Sequence, residues 1–384
     1  MSTIEFANRG VDRVMVNEQA KWLLDAAEPH NNPQRTWLAI LALLYAGDLD
    51  SADAQCRRLC NDPKWAGSAL RQELLTLLQA RSSLLAGRSC RAADMLQTML
   101  DRGTSTQTAC LTVAWLIEAL VHLGELDRAH QVLLDSKLAG PLDPDLPDRA
   151  HILAARGALH MASGRFRHAI DDYMACGRVL DTCFVVNPAV IPWRSRAVFG
   201  ALGIRRYDLA LALAEEELIA AKKWGSPRGI GIALHAVGVA RRDDTSVGVL
   251  EEAVALLAQG HARTEFMQAL YDLGTMQIRR QDVTEGRRRL IEAAMVAYEC
   301  RNVFWEERLR FALKRLQAPA NASKLTRQEE KIAYLARAGH SNRHIAQMTC
   351  LTVRTVEYHL SSVYRKLSIS GRRELVSALS SVSS

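Results

Sequence analysis

Four glycines recur along the first half of the chain at nearly constant spacing, each followed five residues later by an alanine: Gly47–Ala52, Gly87–Ala92, Gly124–Ala129 and Gly164–Ala169. The successive offsets are 40, 37 and 40 residues, and a degenerate copy, Arg205–Ala210, follows after 41 more. Glycine at such intervals marks turns that need left-handed backbone, and alanine just beyond lets two helices approach closely. Around these marks the apolar residues fall at i, i+3, i+4 and i+7, as in 151–163 (HILAARGALHMAS) and 265–279 (EFMQALYDLGTMQIR). That is the period of a helix, and no segment alternates as a strand would. The ten prolines sit where helices start or stop, Pro192 excepted. VLEEA (249–253) and LIEAA (290–294) open the second helices of later pairs. A period of 37–41 residues describes stacked helical hairpins, none able to bury its apolar face alone. The spacing predicts seven hairpins from about 34 to 300, closed by a helix over 302–316.

The repeat is longer than the roughly 34 residues of a tetratricopeptide unit, so the array is tetratricopeptide-like. Such an array presents a surface to a small molecule or a protein, and an unidentified partner of that kind is expected here. One segment interrupts the pattern: Asn187-Pro-Ala-Val-Ile-Pro-Trp-Arg194. Asn187 suits a helix N-cap with Pro188 at the first helical position, and Pro192 would then kink or delay that helix. This puts Trp193 and Arg194 at an irregular turn, either as an aromatic and cationic ligand contact or as a wedge between hairpins. The acidic loop Pro141–Asp148 (PLDPDLPD) reads as a solvated connector.

With 384 residues, 48% of them hydrophobic and 24% charged, the chain is globular and too long for one core. Its longest apolar stretch, Gly229–Ala240, is shorter than the roughly 18 residues of a membrane span, and MSTIEFANRGVDR has no signal-peptide core. The eight cysteines show no C-x-x-C pair and no zinc-finger spacing. Cys56 and Cys60, one helical turn apart, read as small reduced thiols. A cytoplasmic protein with no cofactor and no membrane partner is expected. Arg outnumbers Lys by 40 to 9, a compositional hint of a high-GC bacterial genome.

Charge divides unevenly. Residues 325–384 hold nine Lys or Arg against four Glu, five of the chain's seven surplus positive charges. A basic terminal domain on a near-neutral array points to a polyanion such as duplex DNA. The polar stretch 317–324 (QAPANASK) reads as a linker between domains 1–316 and 325–384. Beyond it, Thr326-Arg-Gln-Glu329 is a capping box, and that helix runs to Gly339. Ser341 caps a second helix, Asn342–Met348, and Thr352 caps a third, Val353–Leu367; a fourth is expected from about Arg372.

At 100° per residue, Val356, Leu360, Val363 and Leu367 share the inner face of the third helix. The opposite face carries Arg354, Tyr358, Ser361 and Arg365, flanked by Glu357 and Ser362. Cations and hydroxyls without aliphatic residues suit a helix that enters the major groove. Thr355 and Lys366 on the same helix, with Asn342 and Arg343 opening the second, complete the candidate DNA contacts.

The run from Leu325-Thr326 through Ala338-Gly339-His340-Ser341-Asn342-Arg343 and Thr355-Val356-Glu357-Tyr358-His359-Leu360 to Tyr364-Arg365-Lys366-Leu367 resembles the LuxR-type helix-turn-helix. Together with the preceding array it is similar to the C-terminal part of the large ATP-binding LuxR-type (LAL) regulators. The resemblance implies an all-α bacterial transcription regulator, an activator that contacts RNA polymerase and binds as a homodimer, with a helical sensor or partner-binding domain. It departs from LAL regulators in lacking G-x-x-x-x-G-K-[ST], so ATP binding does not carry over, and the chain is either a shorter relative or the back half of one. Glu357 stands where many relatives have Lys, which points toward a cytosine amino group, and Ser368 stands where Gly is usual. No G-x-S-x-G, H-E-x-x-H or phosphate loop is present, so catalysis is not expected. An interaction adaptor whose terminal domain binds DNA nonspecifically is the alternative reading.

Overall fold

The computed structural model describes residues 2–26, 32–260, 262–317, 325–349, 351–367, 369 and 371–375. Helices account for all the regular structure among them, with no strand. The chain divides into two compact units, Met1–Arg310 and Phe311–Ser384.

In the large unit, α1 (Thr3–Asn8) and α2 (Arg13–Ala26) precede the repeats. Seven pairs follow: α3 (Pro33–Ala46) with α4 (Leu49–Cys60), then, after the single turn α5 (Pro63–Ala66), α6 (Ala69–Leu85) with α7 (Ser89–Asp101). Next come α8 (Ala109–Leu123) with α9 (Leu126–Asp135), α10 (Arg149–Ala162) with α11 (Phe166–Thr182), and α12 (Trp193–Gly203) with α13 (Tyr207–Trp224). The last two are α14 (Pro227–Ala240) with α15 (Ser246–Gln259) and α16 (Arg263–Arg279) with α17 (Val283–Glu299), followed by α18 (Val303–Gln317), within which the division between the two units falls. The seven expected hairpins and their closing helix are present. α1 and α2 precede the repeat and are joined at Gly10 (φ +64°), where the Val11 amide reaches back to Phe6 O, but no alanine follows five residues on. The expected linker, apart from Gln317, lies outside the described residues.

One backbone motif makes six of the seven hairpin turns; the remaining one, between α14 and α15, leaves its helix through extended backbone at Arg241. Gly47, Gly87, Gly124 and Gly164 have φ between +72° and +88°, and the next residue's amide reaches back five residues: Asp48 to Leu43, Arg88 to Ser83, Glu125 to Leu120, Arg165 to His160. This closes the end of each first helix by satisfying a carbonyl it would otherwise leave open. Arg205 (φ +62°) and Gln281 (φ +70°) adopt the same conformation without being glycine, with Arg206 bonded to Ala201 and Asp282 to Gln277. The alanines five residues beyond the first five marks, Ala52, Ala92, Ala129, Ala169 and Ala210, are all buried. At the last pair Gly286 takes that role against Gly274, where a Cβ on either would collide with the other's carbonyl oxygen.

The pairs wind until chain segments about 180 residues apart meet. Asn187 Nδ2 donates to Ala7 O (2.7 Å), Trp224 Nε1 to Tyr45 O (3.0 Å) and Asn302 Nδ2 to His122 O (2.8 Å). Each accepting carbonyl lies in the last turn of a helix, where the helix itself supplies no donor.

The segment after α11 departs from the expected helix start at Asn187–Pro188. Asn187 spends its side chain on Ala7 O and on the Ala189 amide (2.9 Å), which holds a turn, and α12 begins only at Trp193 with Pro192 as its N-cap. A proline ring disfavours helical backbone at the residue before it, so Ile191 cannot belong to that helix. Trp193 and Arg194 therefore stand in the first turn of a helix rather than in an irregular turn.

In the small unit, α19 (Arg327–Arg337), α20 (Asn342–Thr349) and α21 (Val353–Leu367) enclose a core of Ile332, Ala333, Leu335, Ala336, Ile345, Ala346, Val356, Leu360, Val363 and Leu375. The described residues reach only the start of the expected fourth helix, a 3-10 turn over Arg372–Glu374; residues 376–384, where the rest of it would fall, lie outside them, as do Cys350 and Ser368.

Because Arg205 holds a left-handed conformation that costs a side-chain-bearing residue about 1 kcal/mol, Arg205→Gly is expected to raise the stability of the large unit by about 0.5–1 kcal/mol. Arg205→Ala, which keeps the Cβ, should give no such gain. Urea midpoints of the three proteins check this; equal midpoints would show that the turn is unstrained.

Candidate nucleic-acid interface

The small unit positions α21 by its caps and by one buried carboxylate. Thr326 accepts from the Glu329 amide (3.2 Å) and Glu329 Oε2 accepts from the Thr326 amide (2.6 Å), completing the capping box. Gly339 (φ +90°) ends α19, Ser341 Oγ accepts from the His344 amide (3.3 Å) at α20, and Thr352 Oγ1 accepts from the Thr355 amide (3.1 Å) at α21. Glu329 does more than cap. Its Oε1 accepts from Ser362 Oγ (2.8 Å) and its Oε2 pairs with Lys366 Nζ (2.6 Å), which ties α19 to the flank of α21. Burial alone would raise the Glu329 pKa, but the Lys366 ammonium, the Thr326 amide and the Ser362 hydroxyl hold it down to about 2.

Of the candidate DNA contacts, Arg343, Arg354, Glu357, Tyr358, Ser361 and Arg365 are exposed, Tyr358 with 74% of its surface open. Arg354, Tyr358, Ser361 and Arg365 follow one another at i, i+4, i+7 and i+11, a single stripe along α21. Arg343, Arg354 and Arg365 have no ion-pair partner among the described residues, so their guanidinium donors face solvent. The other four candidates are placed differently. Ser362 and Lys366 turn to Glu329, Thr355 shares a hydroxyl contact with Thr352 (2.8 Å), and Asn342 Oδ1 accepts from Arg372 Nη1 (3.1 Å). Arg372 also donates to the carbonyls of Ala336 (3.1 Å) and His340, bracing the turn between α19 and α20. Neither Glu329 as a tether nor Arg372 as a brace follows from helical spacing, because both act between elements.

In the large unit, the inner positions of α6, α8, α10 and α12 converge on Glu118. Arg81 Nη1 lies 2.9 Å from Glu118 Oε2, and Arg196 Nη2 donates to Glu118 Oε1. Burial works against the charge on Glu118, yet the guanidiniums of Arg196 and Arg81 keep its pKa well below the carboxylate range. His151, desolvated and beside Arg81, is pushed down to about 3 and stays neutral. Together with Trp115, Val190 and Ile191 these groups leave about 10 Å³ between them, room for one water-sized sphere. This part of the inner face is filled. A larger groove of about 600 Å³ lies between α1, α2 and α3, lined by Thr3, Ile4, Trp22, Leu23, Arg35 and Leu38 among others.

Trp193 and Arg194 take part in packing. The Trp193 indole is buried against Gly177, where it leaves no space for a Cβ, and Arg194 lies over the indole (4.4 Å) and pairs with Glu216 (3.2 Å). Beneath them Glu217 accepts from the Ser195 amide (3.3 Å), and burial pushes its pKa up to about 7. Cys56 is buried, its thiol pushed up to about 12 by desolvation, and no cluster of three metal-ligating side chains occurs among the described residues. No helix among them is long and apolar enough to cross a membrane.

The family model of bacterial regulatory proteins of the luxR family matches residues 323–379, the segment that contains these three helices and their exposed stripe. The small unit carries a LuxR-family helix-turn-helix domain. The crystal structure of a Rap protein complexed with competence and sporulation factor is similar to the whole chain, with a TM-score of 0.56 at 11% identity over 94% of this chain and 99% of that one. The apo form of RapI gives a TM-score of 0.42 at 8% identity, covering 88% of this chain and 97% of that one. No curated protein matches the sequence. The chain thus joins a LuxR-family DNA-binding domain to a helical array whose fold is shared with the Rap protein.

Glu329→Gln removes the charge that holds Lys366 and Ser362. It is expected to weaken the anchoring of α21 by about 2 kcal/mol, read as roughly thirtyfold faster amide exchange over Val353–Leu367. In the unaltered protein the folded pKa of Glu329 is depressed, so its contribution is full above the ordinary Glu value of about 4.3 and fades as pH falls toward 2. Exchange in Glu329→Gln that matches the wild type at neutral pH would remove Glu329 from this role.

Proposed function

We propose that this protein is a bacterial transcription regulator whose α21 enters the major groove of duplex DNA, and whose array governs that binding through a docked partner. The observation that carries the reading is the exposed stripe of Arg354, Tyr358, Ser361 and Arg365 on the third helix of a LuxR-family domain. Its free guanidinium donors match guanine edges or phosphates, and the hydroxyls match either. Glu357, exposed beside the stripe, is suited to accept from a cytosine amino group. Arg343 at the start of α20 supplies a cation for the phosphate backbone.

Partner binding by the array is supported by its fold: a Rap protein of similar architecture is seen with competence and sporulation factor. The groove between α1, α2 and α3 is the favoured place for a partner, because the inner face around Glu118 is occupied by its own side chains. The resemblance to LAL regulators supports activation, with RNA polymerase as a further partner. Pairing of two helix-turn-helix domains on adjacent half-sites favours a homodimer.

Arg354→Ala and Arg365→Ala are expected to weaken operator binding without changing helical circular dichroism. A base contact should cost about 1–3 kcal/mol, and a phosphate contact should lower the salt slope by about one. Lys366→Ala should chiefly lower the stability of the small unit, because its ammonium is held by Glu329. Gel shifts across a salt series check all three; unchanged affinity in both arginine variants would take α21 out of the groove.

A further inference from the structure

The second helices of the array turn one face outward, and on most of them that face is charged. Arg167, His168 and Asp171 are exposed on α11, Glu215 and Glu216 on α13 beside a single exposed aliphatic, Ile219, and Glu251 and Glu252 on α15. The helix of the last pair departs from this. On α17, Ile291 is 44%, Met295 61% and Tyr298 75% exposed, at i, i+4 and i+7. Arg287 and Arg288 flank this apolar stripe toward the N-terminal end of the helix, and Glu299 flanks it at the C-terminal end, all three exposed. A helical array needs polar outer faces on its terminal units to stay soluble, so an apolar one there calls for a cover.

We propose that the cover is a second copy of this chain, with the two α17 helices packed antiparallel about a two-fold axis midway between Ile291 and Met295. The proposal rests on the reading of the protein as a dimeric regulator and gives that dimer an interface. The stripe is self-complementary in this register. Ile291 lies across the partner's Met295, Arg288 across the partner's Tyr298, and Arg287 across the partner's Glu299. A two-fold axis makes each of these contacts twice, as an isologous interface requires. Glu285 on the same helix holds the edge of the Arg288 guanidinium, and the flat face of that guanidinium over the Tyr298 ring is attracted by the ring. Arg287 has no ion-pair partner among the described residues, and Glu299 is held by Arg263 through Oε2 alone. Parallel packing would instead set Arg287 and Arg288 against their own copies, which disfavours it. An interface built on one helix pair is at the small end of the range, which fits a dimer that dissociates at micromolar concentration.

The test is sedimentation of the full-length chain across the micromolar range, with no DNA present. Ile291→Arg and Met295→Glu, both at exposed positions, should each weaken the dimer at least about tenfold while circular dichroism stays unchanged. The double variant I291R/M295E should recover much of that loss, because each introduced guanidinium then faces an introduced carboxylate across the axis. Ala255→Arg, on the outward face of α15, serves as a control that leaves the dimer intact. A wild-type chain that is monomeric throughout, single variants that dimerise as the wild type does, or a double variant as weak as the singles would each overturn the proposal. A chain that sediments as a monomer yet binds its operator specifically would leave the regulator reading standing and remove only the interface.

Discussion

The array is built around one carboxylate. Glu118 on α8 pairs with Arg81 from the pair before it and with Arg196 from a pair two further on, so a single side chain fixes the spacing of helices that share no turn. A buried pair of this kind adds little net stability against an apolar alternative, yet removing one member leaves a charge stranded at a cost of several kcal/mol. Loss of any one of the three would therefore cost more than the set contributes over apolar packing. The bonds from Asn187, Trp224 and Asn302 to carbonyls about 180 residues earlier lock the winding of the pairs from helix ends that would otherwise need water. The consequence for function is steric. The space beside Glu118 is filled by these groups, and a larger groove lies among α1, α2 and α3.

The small unit solves a different problem with a similar device. α21 presents a polar face to solvent while its other face holds it still. Val356, Leu360 and Val363 supply the grip, and Glu329 adds a lateral tie through Ser362 and Lys366. The tie draws one cation out of the basic surface and leaves Arg354 and Arg365 on α21 without an ion-pair partner among the described residues. Arg372 braces α19 and α20 from the far side, so the angle between the first two helices does not depend on the apolar core alone.

The legible parts of the sequence were those that local physics dictates. Gly47, Gly87, Gly124 and Gly164 could be read as turns because left-handed backbone selects glycine, and the alanines after them because close helix approach selects a small side chain. The same logic passed over Gln281, whose side chain gives no sign of its conformation, and recognised Arg205 only from its place in the period. The inner and outer faces of α21 followed from 100° per residue. What periodicity cannot supply is partner identity across elements. Lys366 and Ser362 lie at the edge of the polar face, and only the packing of α19 turns them toward Glu329. Arg81, Glu118 and Arg196, separated by 37 and 78 residues, carry no mark in the sequence of their convergence. The helix that Asn187 and Pro188 favour locally does not form for a related reason: the Asn187 amide is committed to Ala7, 180 residues away.

Base reading by α21, as we propose it, would select particular duplexes over others. Selection of bound duplexes from a random pool by the full-length protein, at about 0.15 M salt so that phosphate attraction does not dominate, tests it most directly. The account expects one recurring motif, with strong preference at the few positions that Arg354, Glu357, Tyr358, Ser361 and Arg365 can reach. A bound pool without any enriched motif, held only at low salt, would contradict it.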